Sequence, residues 1–142
     1  MTDSKIITQL SIFVNNEPGR LANIASIMKE CSVNMKAFNL AESTEFGILR
    51  AIVDNPEDAY DRLKSKGIIV KKTDVIGVVI DDTPGSVIAA ANAFGANGIN
   101  IDYGYAYTGK TTAAFFIRVD DPQKAVEVLE KAGIRLITYG EI

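Results

Sequence analysis

Residues Gly104 to Thr111 read G-Y-A-Y-T-G-K-T. This satisfies the pattern G-x-x-x-x-G-K-[ST], in which backbone N–H groups and a lysine cradle nucleotide phosphates. Two other stretches carry groups suited to a small charged ligand. In "NNEPGRL", Asn15, Asn16, Glu17, Arg20 and Leu21 surround Pro18-Gly19. In "DDTPGSV", Asp81, Asp82, Thr83, Ser86 and Val87 surround Pro84-Gly85. If each opens a helix, free N–H groups and a partial positive charge suit a carboxylate, and the glycine admits it close to the backbone. The competing role for these polar residues is to cap a helix and fill a turn. Asn34 and Asn100 each stand before an apolar run, where a turn residue satisfying its own hydrogen bonds is the simplest reading.

Composition narrows the chemistry. The 142 residues contain no histidine and a single cysteine, Cys31. Histidine-dependent hydrolysis, histidine-ligated zinc, an intrachain disulfide and a multi-cysteine metal site are therefore excluded, and no cofactor is expected. Hydrophobic content of 47% with 23% charged residues is globular. A net charge of −3 without a Lys/Arg block argues against nucleic acid or an anionic membrane as partner. The apolar stretch near the N-terminus is broken by Thr8, Gln9 and Ser11. It reads as neither a signal peptide nor a membrane span, and a cytoplasmic protein is expected.

The elements that position these groups are written twice. Pro18-Gly19 recurs as Pro84-Gly85, an offset of 66 residues. The same offset maps Asn34 onto Asn100, "VDNPEDA" at 53–59 onto "VDDPQKA" at 119–125, and Gly67-Ile68 onto Gly133-Ile134, without a gap. Such a register marks a duplicated unit. Within one unit, "ITQLSIFVN" or "VIGVVID" is a buried strand. Pro-Gly then opens a helix with proline in its first turn, and Leu21, Ile24, Ala25 and Met28 form its apolar stripe. A second strand follows, in which Ile99, Ile101, Tyr103, Tyr105 and Tyr107 alternate. After a third strand, Asn55-Pro56 and Asp121-Pro122 start a second helix, which Gly67 and Gly133 end. "IIV" and "IRLIT" are final strands. The class is α+β: two ferredoxin-like βαββαβ units with antiparallel sheets.

This order answers the phosphate question. A phosphate loop must lead from a strand into a helix, whereas Gly104 lies within one strand and Thr111 leads into another. Thr108 to Thr111 is expected to be a hairpin turn with Gly109 supplying a positive φ. Its counterpart, "ESTE" at 42–45, carries no trace of the motif.

"N-x-x-P-G-R-L... V-N" and "D-x-x-P-G-S-V... I-N-I-D" resemble the signature of the ACT domain, a regulatory amino-acid-binding module. The resemblance covers nearly the whole chain twice, as a first ACT-like domain at 1–72 and a second at 73–142. It implies a ligand, usually an amino acid, held between two ACT domains. The loop residues carried over by position are Asn15, Asn16, Gly19, Arg20 and Leu21, or Asp81, Asp82, Gly85, Ser86 and Val87. The second-strand residues that close the site are Asn34 and Met35, or Asn100 and Ile101. The first loop, with Arg20, should prefer a carboxylate; the second, with Asp81 and Asp82, repels one and could accept an ammonium group.

The expected function is a stand-alone sensor or regulatory subunit, not an enzyme, that binds a free amino acid and modulates a metabolic enzyme. A small enzyme using Asp81 or Asp82 is one alternative. An RNA binder of the same topology, displaying Phe115 and Phe116, is another, although adjacent residues on a strand point to opposite faces. A homodimer is expected as well. The connector Lys71 to Asp74 reaches about 14 Å, too short for the two second-strand edges of one chain to pair with each other. Those edges would find partners on a second chain.

Overall fold

A computed structural model of the chain describes residues 4–42 and 46–142. It forms two compact units: Thr8–Thr73, and the described residues of Met1–Ile7 together with Asp74–Ile142.

The first unit runs β1 (Ile7–Asn15), α1 (Arg20–Glu30), β2 (Met35–Glu42), β3 (Phe46–Val53), α2 (Pro56–Ser65) and the start of β4 (Val70–Ile80). β3 pairs antiparallel with both β1 and β2. On the other side of β1, the Phe13 N–H donates to the Ile69 carbonyl at 3.0 Å, so the chain leaving α2 returns alongside it. Alternation along β1 turns Leu10, Ile12 and Val14 into a core completed by Ile24, Met28, Leu49, Ala59 and Leu63. Each fully buried Leu or Ile of this kind contributes about 1.5–3 kcal/mol. α2 ends as its sequence predicts. Gly67 has φ +81°, and the Gly67 and Ile68 N–H groups donate to Lys64 and Leu63 carbonyls at 3.0 and 3.1 Å.

The buried side of α1 differs from the predicted stripe. Ile24, Met28 and Cys31 at the helix end are buried, whereas Leu21 is 43% exposed and Ala25 is also exposed. A cavity adjoins Leu21 where a core side chain was expected.

The second unit continues along β4 through α3 (Ile88–Ala96), β5 (Ile101–Thr108), β6 (Ala113–Val119) and α4 (Pro122–Lys131). β6 pairs antiparallel with β4 and with β5. Its core gathers Ile76, Val78, Phe94, Ile117, Val119 and Leu129. Asp121 caps α4 by accepting the Lys124 N–H at 3.1 Å.

Four predicted features come out differently. "IRLIT" is reduced to one bridge, Val78 opposite Leu136, with flanking hydrogen bonds from Val79 to Arg135 and from Ile137 to Gly77. The chain then turns into a 3₁₀ segment, Tyr139–Glu141, closed by a Thr138–Glu141 capping box. Of "IIV", only Val70 is strand. Lys71 to Asp74, expected as a bare connector, lie inside β4. No glycine or proline interrupts them, and Lys72 pairs with Glu57 at 2.8 Å while lying 4.7 Å from the centre of the Tyr60 ring. The glutamate hydrogen bond raises the Lys72 pKa. Alternation along β5 is broken by a register shift between Ile101 and Tyr103; Tyr105 is buried but Ile101 is exposed.

Candidate functional site

Pro-Gly does not open the helices. Arg20 N–H donates to the Glu17 carbonyl at 3.2 Å across Pro18-Gly19, and Gly19 has φ 84° and ψ −7°. These are type II turn angles, with proline at the second position and glycine at the third. Thr83 to Ser86 repeats the turn: Ser86 N–H reaches the Thr83 carbonyl at 3.3 Å, and Gly85 has φ +82°. A residue in the left-handed region cannot continue a helix, so α1 starts no earlier than Arg20 and α3 no earlier than Ser86; α3 is regular from Ile88. Proline therefore sits in the turn before each helix, not in its first turn. In both units the turn leads to a helix without a side-chain cap, directly at Arg20 in the first and two residues on, at Ile88, in the second. The early N–H groups of such a helix lack intrahelical acceptors.

Two concavities flank the end of β1. One, of about 290 Å³, is lined by Val14, Asn15, Asn16, Glu17, Leu21, Leu40, Ala41 and Gly47. The other, of about 300 Å³, brings Asn15 and Arg20 together with Phe13, Ile24, Phe46, Gly67, Ile68 and Ile69. The residues from β2 and β3 carry no polar signal. Topology alone could have found them: β3 runs antiparallel to β1, so Asn15 faces Phe46 and Val14 faces Gly47. In the second unit, Asp81, Asp82, Thr83 and Ser86 share a cavity of about 300 Å³ with Ile80, Thr108 and Ala113.

The G-x-x-x-x-G-K-T stretch has no helix after it. β5 ends at Thr108, a loop closes with Gly109 N–H on the Thr112 carbonyl at 2.9 Å, and β6 begins at Ala113. Gly109 lies outside the left-handed region, contrary to expectation. It is small for another reason: a Cβ there would stand 2.9 Å from Tyr107 Cζ and 3.0 Å from the Thr112 carbonyl. A Cβ on Gly104 would stand 2.6 Å from the Phe115 ring. Both glycines make room for aromatic packing. The counterpart turn predicted at 42–45 includes residues outside those described. Of the two phenylalanines set against each other, Phe116 is fully buried and Phe115 packs against the second core.

The family model described as "ACT domain pair" matches residues 5–141. The chain belongs to this ACT family. A crystal structure of a protein from Bacteroides thetaiotaomicron is similar at 33% identity and a TM-score of 0.88, covering 96% of this chain and 95% of that one. The ligand-free regulatory subunit of aspartate kinase from Thermus thermophilus is similar at 15% identity and a TM-score of 0.62, over 93% of this chain and 95% of that one. Aspartate kinase from Clostridium acetobutylicum is similar at 16% identity and a TM-score of 0.54, over 90% of this chain but 33% of that one. At these last two identities the likeness shows the fold alone. No curated protein matches the sequence.

Membership of the ACT family supports a regulatory, ligand-binding role. Within the pair, the first loop's Asn15, Asn16, Arg20 and Leu21 reach cavities, and Gly19 shapes the turn between them. The second-strand candidates of the same unit stand elsewhere. Asn34 donates to Asp54 Oδ2 at 3.2 Å and lines a small hollow of about 40 Å³. Met35 packs against the first unit's core. In the second unit, Asp81, Asp82 and Ser86 meet around their cavity, whereas Asn100 and Ile101 are exposed and apart from it. Val87 is 41% exposed beside Gly85. Among the described residues no His/Cys/Asp/Glu group could hold a metal, and no helix is long and apolar enough to cross a membrane.

Proposed function

We propose that this ACT pair is a regulatory protein, not an enzyme, that binds a free amino acid at the β1–α1 loop of its first unit. One observation carries the reading: the Pro18-Gly19 turn leaves the start of α1 without a side-chain cap beside a cavity of about 290 Å³. Amides there suit the ligand carboxylate, and Glu17 and the two asparagines can accept its ammonium protons. The second loop, with Asp81 and Asp82 and no cation, is the weaker carboxylate site.

The active form in this reading is a homodimer. Within the described residues, β2 and β5 each pair along one side only. β2 exposes Phe38 at 58% and Leu40 at 50%, apolar area that an edge-to-edge partner would cover. Asn34 and Met35, or Asn100 and Ile101, would then close sites on the second chain. The regulated partner is a metabolic enzyme acting on the ligand or its relatives, and the proposed setting is the cytoplasm.

A thermal-shift screen of the twenty amino acids and Mg-ATP tests the reading. An amino acid at 100 times its Kd adds about 2.7 kcal/mol of stability, and Mg-ATP adds none. Stabilisation by Mg-ATP alone, lost in Lys110→Ala, overturns it.

A further inference from the structure

The cavity on the Phe13 side of Asn15 contains an unanswered charge. Arg20 makes no ion pair among the described residues, and its Nε is buried without a hydrogen-bond partner. A buried donor without an acceptor is unfavourable, and an incoming acceptor would remove that penalty. The walls around it are apolar and open to solvent: Phe13 is 37%, Phe46 47% and Ile69 69% exposed. These three of the unit's exposed large apolar residues converge on the same hollow, beside half-buried Ile68. Such convergence marks a binding surface more than scattered exposure does.

We propose that this cavity binds a small carboxylic acid with a branched aliphatic or aromatic side chain. The carboxylate meets the Arg20 guanidinium, Asn15 stands at the rim, and the hydrocarbon lies among Phe13, Phe46, Ile68 and Ile69. Charge complementarity selects the acid: the cavity's lining holds one cation and no carboxylate. Size selects a small ligand, because about 300 Å³ is at the lower end of the roughly 300–1,000 Å³ of small-molecule sites. A nucleotide would need more room and more than one cation. The proposal rests on reading this end of the unit as the ligand-binding end, and it adds the ligand's chemical class and a second seat for it.

Calorimetric titration and thermal shift with four probes test it: 4-methylpentanoate, L-leucine, leucinamide and L-serine. 4-Methylpentanoate has the carboxylate and side chain without the ammonium group, and leucinamide lacks the carboxylate. Binding of 4-methylpentanoate and L-leucine, with leucinamide silent, is expected. Arg20→Met, which keeps an apolar stem, should weaken 4-methylpentanoate about ten- to a hundred-fold, the usual worth of a charge-assisted hydrogen bond. Ile69→Ser, at an exposed position that leaves the fold intact, should weaken it several-fold. L-Serine binding with 4-methylpentanoate silent, or affinities unchanged in Arg20→Met, overturns this proposal and leaves the loop reading standing. Silence of all four probes in a folded protein, together with a negative screen of the remaining amino acids, overturns both.

Discussion

The loops after β1 and β4 share one backbone and differ in chemistry. Both use a type II turn with glycine near φ +80°, and both lead to a helix without a side-chain cap. In the first, Arg20 begins the helix directly and stands over an apolar-walled cavity. In the second, the corresponding residue is Ser86, the helix starts two residues later at Ile88, and Asp81 and Asp82 line the cavity. Duplication thus preserves the turn, which the fold needs for Gly19 and Gly85, while the charges that would meet a ligand have diverged. The backbone alone does not make a carboxylate site; the adjacent charge decides which copy offers one.

The largest effect expected concerns the feature that both loops share. Gly19→Val and Gly85→Val each force a β-branched residue into the left-handed region, at about 1–3 kcal/mol. At Gly19 nothing lies within 4 Å of an added Cβ, so the cost there is conformational alone; at Gly85 the flexible end of Ile88 stands at 3.2 Å. Chemical denaturation of both variants should show comparable losses. Full stability retained at either position breaks the claim of a common turn.

Next in size is the conversion of one loop to the other. Asp81→Asn with Asp82→Asn and Ser86→Arg gives the second loop the charges of the first. A second, weaker ligand equivalent should appear, worth about 1–2 kcal/mol of added thermal stabilisation at saturating ligand. If neutralising both carboxylates leaves the ligand response unchanged, charge is not what separates the copies.

Smaller still is the contrast of Leu21 with Val87, both exposed at the same place in the repeat. Leu21→Asp should leave stability within about 0.5 kcal/mol and lower ligand affinity about tenfold, since the new charge repels a carboxylate. Val87→Asp should alter neither, by the same melts and titrations. The smallest effect belongs to Lys110→Ala. The lysine stands in an exposed hairpin loop, and stability should move by less than about 0.5 kcal/mol.

Much of this was legible in the residues. The duplication, the strand and helix order up to each unit's final strand, and the helix-ending glycines Gly67 and Gly133 follow from local rules that tertiary context did not override. The P-loop pattern could be set aside because its flanks were strands. What escaped detection depended on non-local geometry. Pro18-Gly19 obeys two rules, proline early in a helix or proline-glycine in a type II turn, and only the dihedral angle of Gly19 separates them. Gly109 was given a backbone role, yet the Tyr107 ring and the Thr112 carbonyl explain it. "IRLIT" has strand composition but makes one bridge before a capping box bends the chain away. Leu40, Ala41, Gly47 and Phe46 reach the site by strand register, and nothing in their side chains announces it.

The central claim is that the first loop binds the ligand and the second does so poorly. Calorimetric titration of the wild-type chain, Gly19→Val and Gly85→Val with the most effective amino acid from the screen tests it most directly. The account predicts that Gly19→Val loses the high-affinity binding event at the first loop and that Gly85→Val keeps it at nearly the wild-type Kd. Loss in Gly85→Val with retention in Gly19→Val, in proteins shown to be folded, would contradict it.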